Sequence, residues 1–235
     1  MKLTIRITRN TITFTAPSTV VEGQTDYEQY NMKPGIAVAA NLRQAIAQCR
    51  LTQATEVYDT ATAVVDTPLM LTPEEEYDEM AASILYHHAN SQNRQDDVLA
   101  YPITQLGVVA TFAANKDLMH VLDETFRSVQ IVPLLAPVLI ELARRSYGGY
   151  QEKMFCYFHD KRVDVCAFRK GRLRFCSPFD TATPQDAAYY ILNVWQTLAM
   201  RPTDILCLAG NINGLEALAK DLRRFVKNVK QTGDI

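Results

Sequence analysis

The most restrictive pattern in the sequence is a run of three extended segments separated by two tight turns. The segments are Lys153–Phe158, Arg162–Phe168 and Arg172–Pro178, and the turns are Asp160-Lys161 and Lys170-Gly171. Turns of this composition join neighbouring antiparallel strands. The pattern therefore predicts a three-stranded meander.

A helix, a strand and a second helix are predicted after this meander. Thr183-Pro184 is a typical helix start, and the residues from 187 to 199 place apolar side chains on one helical face. Thr203–Ala209 is predicted to form a short buried strand that ends at Gly210-Asn211. Leu215–Val229 is predicted to form the last helix, with a basic outer face.

The N-terminal half shows a related order of elements. Leu3–Phe14 alternates on both sides of a polar tip at Arg9-Asn10, which predicts a β-hairpin. The further expected elements are an extended segment near Thr19–Tyr30, a helix at Ile36–Cys49, a strand at Glu56–Val65, a helix beginning at Thr72-Pro73, strands at Val98–Ile103 and Gly107–Ala113, and a helix from Asn115 to about Phe126.

The two halves together predict a duplicated α/β fold. The second half is expected to open with a strand at Val129–Val132 and a helix at Leu134–Arg145. Strands and helices that alternate in this way form sheets covered by helices. We therefore expect two lobes, residues 1–127 and residues 128–235, each with a mixed β-sheet.

Composition excludes several classes of protein. The 24 basic and 26 acidic residues give a formal charge of -2, which does not favour nucleic acid or an anionic membrane surface. No apolar run approaches the roughly 20 residues of a membrane helix, and the N-terminus alternates like a strand where a signal peptide would be continuously apolar. We expect a cytoplasmic protein without membrane insertion or nucleic-acid binding.

The cysteines and histidines form no metal-binding pattern. None of the five cysteines stands in a C-x-x-C motif. Cys156, Cys166 and Cys176 recur at equal intervals, as expected if each lies in one strand of the meander and faces the core. His159 stands apart from any Cys or Glu ligand pattern and is interpreted as a surface or internally satisfied residue. No metal site is predicted.

The duplication resembles the actin-like ATPase superfamily, which has a ribonuclease H-like fold. Lys2–Thr15, Lys153–Pro178 and Ile205–Asn211 occupy the places of its first phosphate hairpin, its second phosphate hairpin and its adenosine-side glycine turn. The whole chain also resembles an uncharacterised Bacteroidetes family of this fold, domain of unknown function family 3822, through Thr67–Pro73 and the meander leading into Thr183-Pro184. More distantly, it is similar to the actin-like scaffolds of pilus assembly and type II secretion.

The resemblance implies a residual nucleotide cleft in this chain. The residues carried over to it are Thr8, Asn10, Asp160, Gly210 and Asn211. Active members of the superfamily supply an aspartate and glycines at each phosphate hairpin. Here the first tip, residues 8–10, has neither, and the second, residues 159–162, has one aspartate and no glycine. These departures predict that the magnesium-nucleotide site is lost, and no catalytic residue is assigned.

Two functions follow from these departures. The first is a non-enzymatic interaction or scaffold protein that needs no cofactor and binds an unidentified protein partner. The alternative is a divergent ATPase or phosphotransferase that uses ATP with magnesium through Asp160 and the Gly210 turn. For both residues a purely structural role in a turn is also open. Self-association through an apolar face is a third possibility, and the oligomeric state is left open.

Overall fold

A computed structural model of the chain describes residues 2–18, 21, 23–53, 60–90 and 96–233. The strands are β1 Lys2–Ile7, β2 Thr11–Pro17, β3 Thr25–Asn31, β4 Thr60–Val65, β5 Leu69–Pro73, β6 Asp97–Ile103, β7 Val108–Ala114, β8 Ser128–Pro133, β9 Lys153–His159, β10 Arg162–Arg169, β11 Arg172–Asp180, β12 Ile205–Gly210 and β13 Asn228–Gln231. The α-helices are α1 Val38–Gln48, α2 Arg50–Gln53, α3 Glu79–Ala89, α4 Lys116–Thr125, α5 Leu135–Ser146, α6 Pro184–Thr197 and α7 Glu216–Leu222.

The first compact unit, Met1–Ala136, is built on a five-stranded sheet of order β3-β2-β1-β4-β8. The predicted hairpin is confirmed, because β1 and β2 are antiparallel and Ile7 lies opposite Ile12. β4 runs parallel to β1, and β8 parallel to β4. Alternate residues of β1 point inward, so Leu3 and Ile5 are fully buried beside Leu42 of α1.

An additional three-stranded sheet interrupts this unit between β4 and α4. β7 lies between β5 and β6 and is antiparallel to both. The prediction of a helix beginning at Thr72-Pro73 was wrong, because these residues end β5. The chain then makes a single 3₁₀ turn, and α3 begins only after Asp78, whose carboxylate accepts a hydrogen bond from the amide of Ala81 at 2.7 Å. The strand pairing with β7 overrides the local helix-start signal.

The second unit, Pro137–Ile235, repeats the first unit's sheet with the order β11-β10-β9-β12-β13. β9, β10 and β11 form the predicted meander, and β12 runs parallel to β9. α6 begins where Thr183 and Asp186 form a reciprocal capping box. Because each unit places a meander, a helix and parallel strands in the same order, the predicted duplicated α/β fold is confirmed.

Two predicted boundaries were wrong, and both corrections complete the sheets. The predicted helix at Leu215–Val229 stops at Leu222, and Asn228–Gln231 is the strand β13, parallel to β12. Pairing with the open edge of β12 satisfies backbone groups that a longer helix would leave exposed. Val129–Val132 was assigned to the second half, but β8 belongs to the first sheet.

The regularly spaced cysteines lie on the three meander strands, as predicted. Cys156 is buried in the core between the sheet and α6, whereas Cys166 is buried on the opposite face of the sheet. Cys176 lies opposite Cys166, with 3.5 Å between the two Sγ atoms, and is only partly buried. The expectation of a core position is therefore correct for Cys156 and Cys166 and wrong for Cys176.

Along the part of the chain that the structure describes, every helix is too short or too polar to cross a membrane.

Candidate functional site

A pocket of about 180 Å³ lies at the end of the β9–β10 hairpin in the second unit. Three segments line it: the hairpin tip, the start of α6 and the turn that follows β12. The polar lining residues include Asp160, Lys161, Arg162, Thr183 and Asn211. The structure therefore brings together two predicted site residues of this unit, Asp160 and Asn211.

The tip of this hairpin turns without a glycine. Asp160 and Lys161 both adopt positive φ angles, 41° and 60°, which aspartate tolerates better than most residues. The carbonyl of Lys161 accepts a hydrogen bond from the amide of Thr181 at 2.9 Å. The tip is thus joined to the segment that leads into α6.

A buried histidine–aspartate pair supports the same hairpin from inside. Nε2 of His159 and Oδ2 of Asp164 are 2.5 Å apart, and both side chains are less than a tenth exposed. The interpretation of His159 as internally satisfied is correct for Nε2 only, because Nδ1 is buried and has no hydrogen-bond partner among the described residues. Asp164 was missed, although a charged residue inside the apolar strand β10 is the signal that could have found it.

One oxygen of Asp160, Oδ2, is also buried with no hydrogen-bond partner in the part of the chain that the structure describes. A carboxylate oxygen of Asp160 and a ring nitrogen of His159 lie within 4.8 Å of each other. A carboxylate oxygen and an imidazole nitrogen can both ligate a divalent cation, and Asp164 would orient the ring from behind. These two atoms are fewer than the three or four protein ligands of a zinc site, so they are an incomplete metal site by themselves.

The glycine turn after β12 is explained by packing within its own unit. Gly210 has a φ of 78°, and a Cβ atom there would lie 2.5 Å from the carbonyl oxygen of Phe158 and 2.9 Å from the ring of Tyr157. The amide of Asn211 donates to the same carbonyl at 2.8 Å. Glycine is required here whether or not a ligand binds.

The first unit has a pocket of about 170 Å³ at the equivalent end of its own sheet. It is lined by the β1–β2 tip, the end of β4 and the start of α4, and its residues include Thr8, Asp66 and Asn115. Thr8 is the predicted site residue that lies there. Asn10 is exposed at the tip and is not part of the pocket lining.

Three backbone amides of the first tip are used within the turn. The amides of Asn10 and Thr11 donate to Oγ1 of Thr8 at 3.5 and 3.3 Å, and the amide of Thr8 donates to the carbonyl of Thr11 at 2.9 Å. The carbonyl of Asn10 accepts from the amide of Met32 at 2.8 Å. The threonine hydroxyl therefore closes the tip on itself.

The two matching sheets, each with a hairpin tip and a pocket at the same end, define the actin-like ATPase fold. The chain resembles a Bacteroides thetaiotaomicron protein with an actin-like ATPase fold and unknown function, with a TM-score of 0.90 at 20% identity over 98% of this chain and 90% of that one. The chain belongs to the family described as protein of unknown function (DUF3822), whose family model matches residues 1–229. The resemblance seen in the sequence is confirmed.

A more distant similarity is to the PilM-PilN type IV pilus biogenesis complex. The TM-score is 0.55 at 14% identity, and the match covers 98% of this chain and 88% of that one. No match was found among curated protein sequences. At these identities the solved structures show the fold alone.

Proposed function

We propose that this chain is a non-enzymatic protein-interaction protein of the cell interior, built on an actin-like fold that has lost nucleotide hydrolysis. The observation that carries this proposal is the first hairpin tip. The amides of Asn10 and Thr11 donate to Thr8, and the backbone turns without an aspartate or a glycine.

Phosphate binding needs what this tip does not offer. Backbone nests hold phosphate through amides that point outward together, but here those of Asn10 and Thr11 point to the hydroxyl of Thr8. Magnesium takes carboxylate oxygens and phosphate oxygens as ligands, and residues 8–10 contain no carboxylate. A bound phosphate would have to break the hydrogen bonds that form the turn.

The pocket described in each unit is smaller than a typical site for a drug-sized ligand. Each has a volume of about 170 to 180 Å³, whereas pockets for drug-sized ligands span about 300 to 1,000 Å³. The Gly210 turn, which was the best candidate for adenosine contact, is explained by its packing on Phe158 and Tyr157. These features support a fold that is kept for a purpose other than hydrolysis.

A role in protein binding agrees with the surface and with one relative. The helix α3 exposes Met80, Ile84 and Leu85, and exposed apolar groups of this kind mark interaction sites. A protein of similar fold occurs in the PilM-PilN complex. That complex supports the proposal by showing that an actin-like fold can serve as a binding partner.

Calorimetry with magnesium-ATP and magnesium-ADP tests this proposal. We expect no saturable heat and no release of phosphate above the rate without protein. An actin-like ATPase titrated under the same conditions is the positive control. Saturable binding in the micromolar range together with turnover would refute the non-enzymatic function.

The second candidate function is a divergent ATPase or phosphotransferase centred on Asp160. The buried Oδ2 atom of Asp160, which has no hydrogen-bond partner among the described residues, favours it. Asp160 and Lys161 both line the pocket of the second unit. If phosphate release is detected, Asp160→Asn should abolish it, whereas Asp186→Asn, at the cap of α6, should not. Unchanged turnover in Asp160→Asn would exclude this candidate.

A further inference from the structure

The helix α3 leaves three large apolar side chains exposed and buries two residues. Its packing against the three-stranded sheet uses Ala82 and Tyr86, and the hydroxyl of Tyr86 donates to the carbonyl of Pro68 at 2.9 Å. On the other side Met80 is 80% exposed, Ile84 69% and Leu85 57%. A surface helix normally shows the opposite distribution.

These three side chains all lie on the solvent side of the helix, and we call their surface the α3 face. Met80 and Ile84 are four residues apart and therefore adjacent on the helix surface, and the exposed Ala81 and Leu85, also four apart, form the neighbouring row. Single exposed apolar residues are normal on a protein. Three large ones on a helix of 11 residues make a contiguous patch of the kind that binds partners.

The border of the α3 face is acidic. Glu74, Glu75, Glu76, Asp78 and Glu79 are all exposed and lead into the helix. Residues 69–90 contain no lysine or arginine. Two or three of these carboxylates suffice to complement the helix N-terminus, so the remaining negative charge is available to a partner.

The combination of charge and shape selects among occupants. An anionic lipid surface would be repelled by the acidic border. A second copy would present the same α3 face, which has no lysine or arginine to complement the acidic border. An amphipathic helix with a leucine-rich face and flanking lysines or arginines matches both the apolar strip and the charge.

We propose that the α3 face binds a basic amphipathic helix of a partner protein, which lays its apolar side on Met80, Ile84 and Leu85. This inference rests on the proposed interaction function and specifies its partner. The partner's lysines and arginines face the acidic residues from 74 to 79. Attraction between these charges makes the complex sensitive to salt.

Fluorescence anisotropy with the full chain tests this surface. The probe is a labelled peptide of about 18 residues with leucine at helical spacing and lysine elsewhere. We expect saturable binding that weakens about tenfold or more in the Ile84→Ser/Leu85→Ser variant, because the peptide would bury both apolar side chains. Glu75→Gln/Glu76→Gln/Glu79→Gln should weaken binding and reduce its dependence on salt.

Two controls distinguish binding at the α3 face from nonspecific binding of the peptide. Tyr189→Ser removes an equally exposed apolar residue, 67% exposed in the second unit, and should leave the affinity unchanged. A peptide with glutamate in place of every lysine should not bind. Equal affinity of the native chain and the Ile84→Ser/Leu85→Ser variant would overturn the inference. Light scattering that shows a dimer of the native chain and a monomer of this variant would overturn it as well.

The outcome is separable from that of the nucleotide experiment. If neither the peptide nor magnesium-ATP binds, only the proposed partner of the α3 face is refuted. If the peptide binds as expected and ATP is hydrolysed, the proposed partner is supported and the non-enzymatic function is refuted.

Discussion

The two units share one strand order but stabilise their hairpin tips by different chemistry. In the first unit a single hydroxyl, that of Thr8, accepts hydrogen bonds from two amides of the tip. In the second unit two positive-φ residues make the turn, and the buried pair of His159 and Asp164 holds the strands behind it. The topology of a sheet can therefore be duplicated while the polar groups at its functional edge diverge.

This difference shows what the fold requires and what a ligand requires. The sheet needs each tip to close and each buried polar group to find a partner. A phosphate site needs the reverse, namely tip amides that remain unused until the ligand arrives. The first tip meets the requirement of the fold and not that of a phosphate.

Asp164→Ala should cause the largest loss of stability, because it leaves His159 buried without its partner. We expect the free energy of unfolding of the second unit to fall by about 3 to 5 kcal/mol. Urea unfolding monitored through Trp195, the single tryptophan of the chain, reports on this unit.

The double variant His159→Ala/Asp164→Ala is the matched control for this pair. It removes both polar groups, so it should be less destabilised than the sum of the two single variants. Additive losses would show that the two side chains do not act as a pair in the second unit.

Gly210→Ala should have the next largest effect, because the new Cβ atom would overlap the carbonyl of Phe158. We expect a loss of about 2 to 4 kcal/mol, from the positive φ and the overlap together. The control is Gly214→Ala, since Gly214 has a φ of 79° with no atom within 4 Å and should lose only about 1 kcal/mol. Equal losses would mean that packing does not fix the glycine.

Most of the architecture could be predicted from sequence because it depends on local patterns. Alternation in β1, the turns of the meander and the Thr183-Pro184 cap are each determined by neighbouring residues. The failures were at β5 and β13, where pairing with a distant strand overrides a local helical signal. Such long-range pairing cannot be read from one segment.

The site was less predictable than the fold for a related reason. The positions of Thr8, Asp160, Gly210 and Asn211 follow from the hairpins and turns, whereas their contacts depend on side-chain geometry. The closure of the first tip by Thr8 and the overlap that fixes Gly210 involve atoms whose distances no spacing rule gives. The sequence identifies these residues, but it does not identify the atoms that they contact.

Asp204→Asn should remove part of the dependence of stability on pH in the second unit. Burial raises the pKa of Asp204, but hydrogen bonds from the side chain of Arg201 and from the amides of Arg201 and Glu152 outweigh it and lower the pKa below its ordinary value of 3.8. The folded state then binds fewer protons than the unfolded state. The stabilisation is therefore present above pH 3.8 and is lost as the pH falls below that value.

The measurement is urea unfolding of the native chain and of Asp204→Asn from neutral to acid pH. At neutral pH the variant should lose about 1.5 to 3 kcal/mol, the usual range for hydrogen bonds to a charged group. The two stability curves should converge at acid pH. Parallel curves would show that the carboxylate is not responsible.

Thr8→Val should have the smallest effect and bears most directly on the contrast between the tips. Valine keeps the shape of threonine and removes the oxygen that accepts from Asn10 and Thr11. We expect a loss of about 1 kcal/mol and faster hydrogen exchange at these two amides. Thr13→Val on β2 is the control, because the hydroxyl of Thr13 makes no hydrogen bond within the part of the chain that the structure describes. If both variants exchange at the native rate, the first tip is held by its strands alone, and its amides are free for a ligand after all.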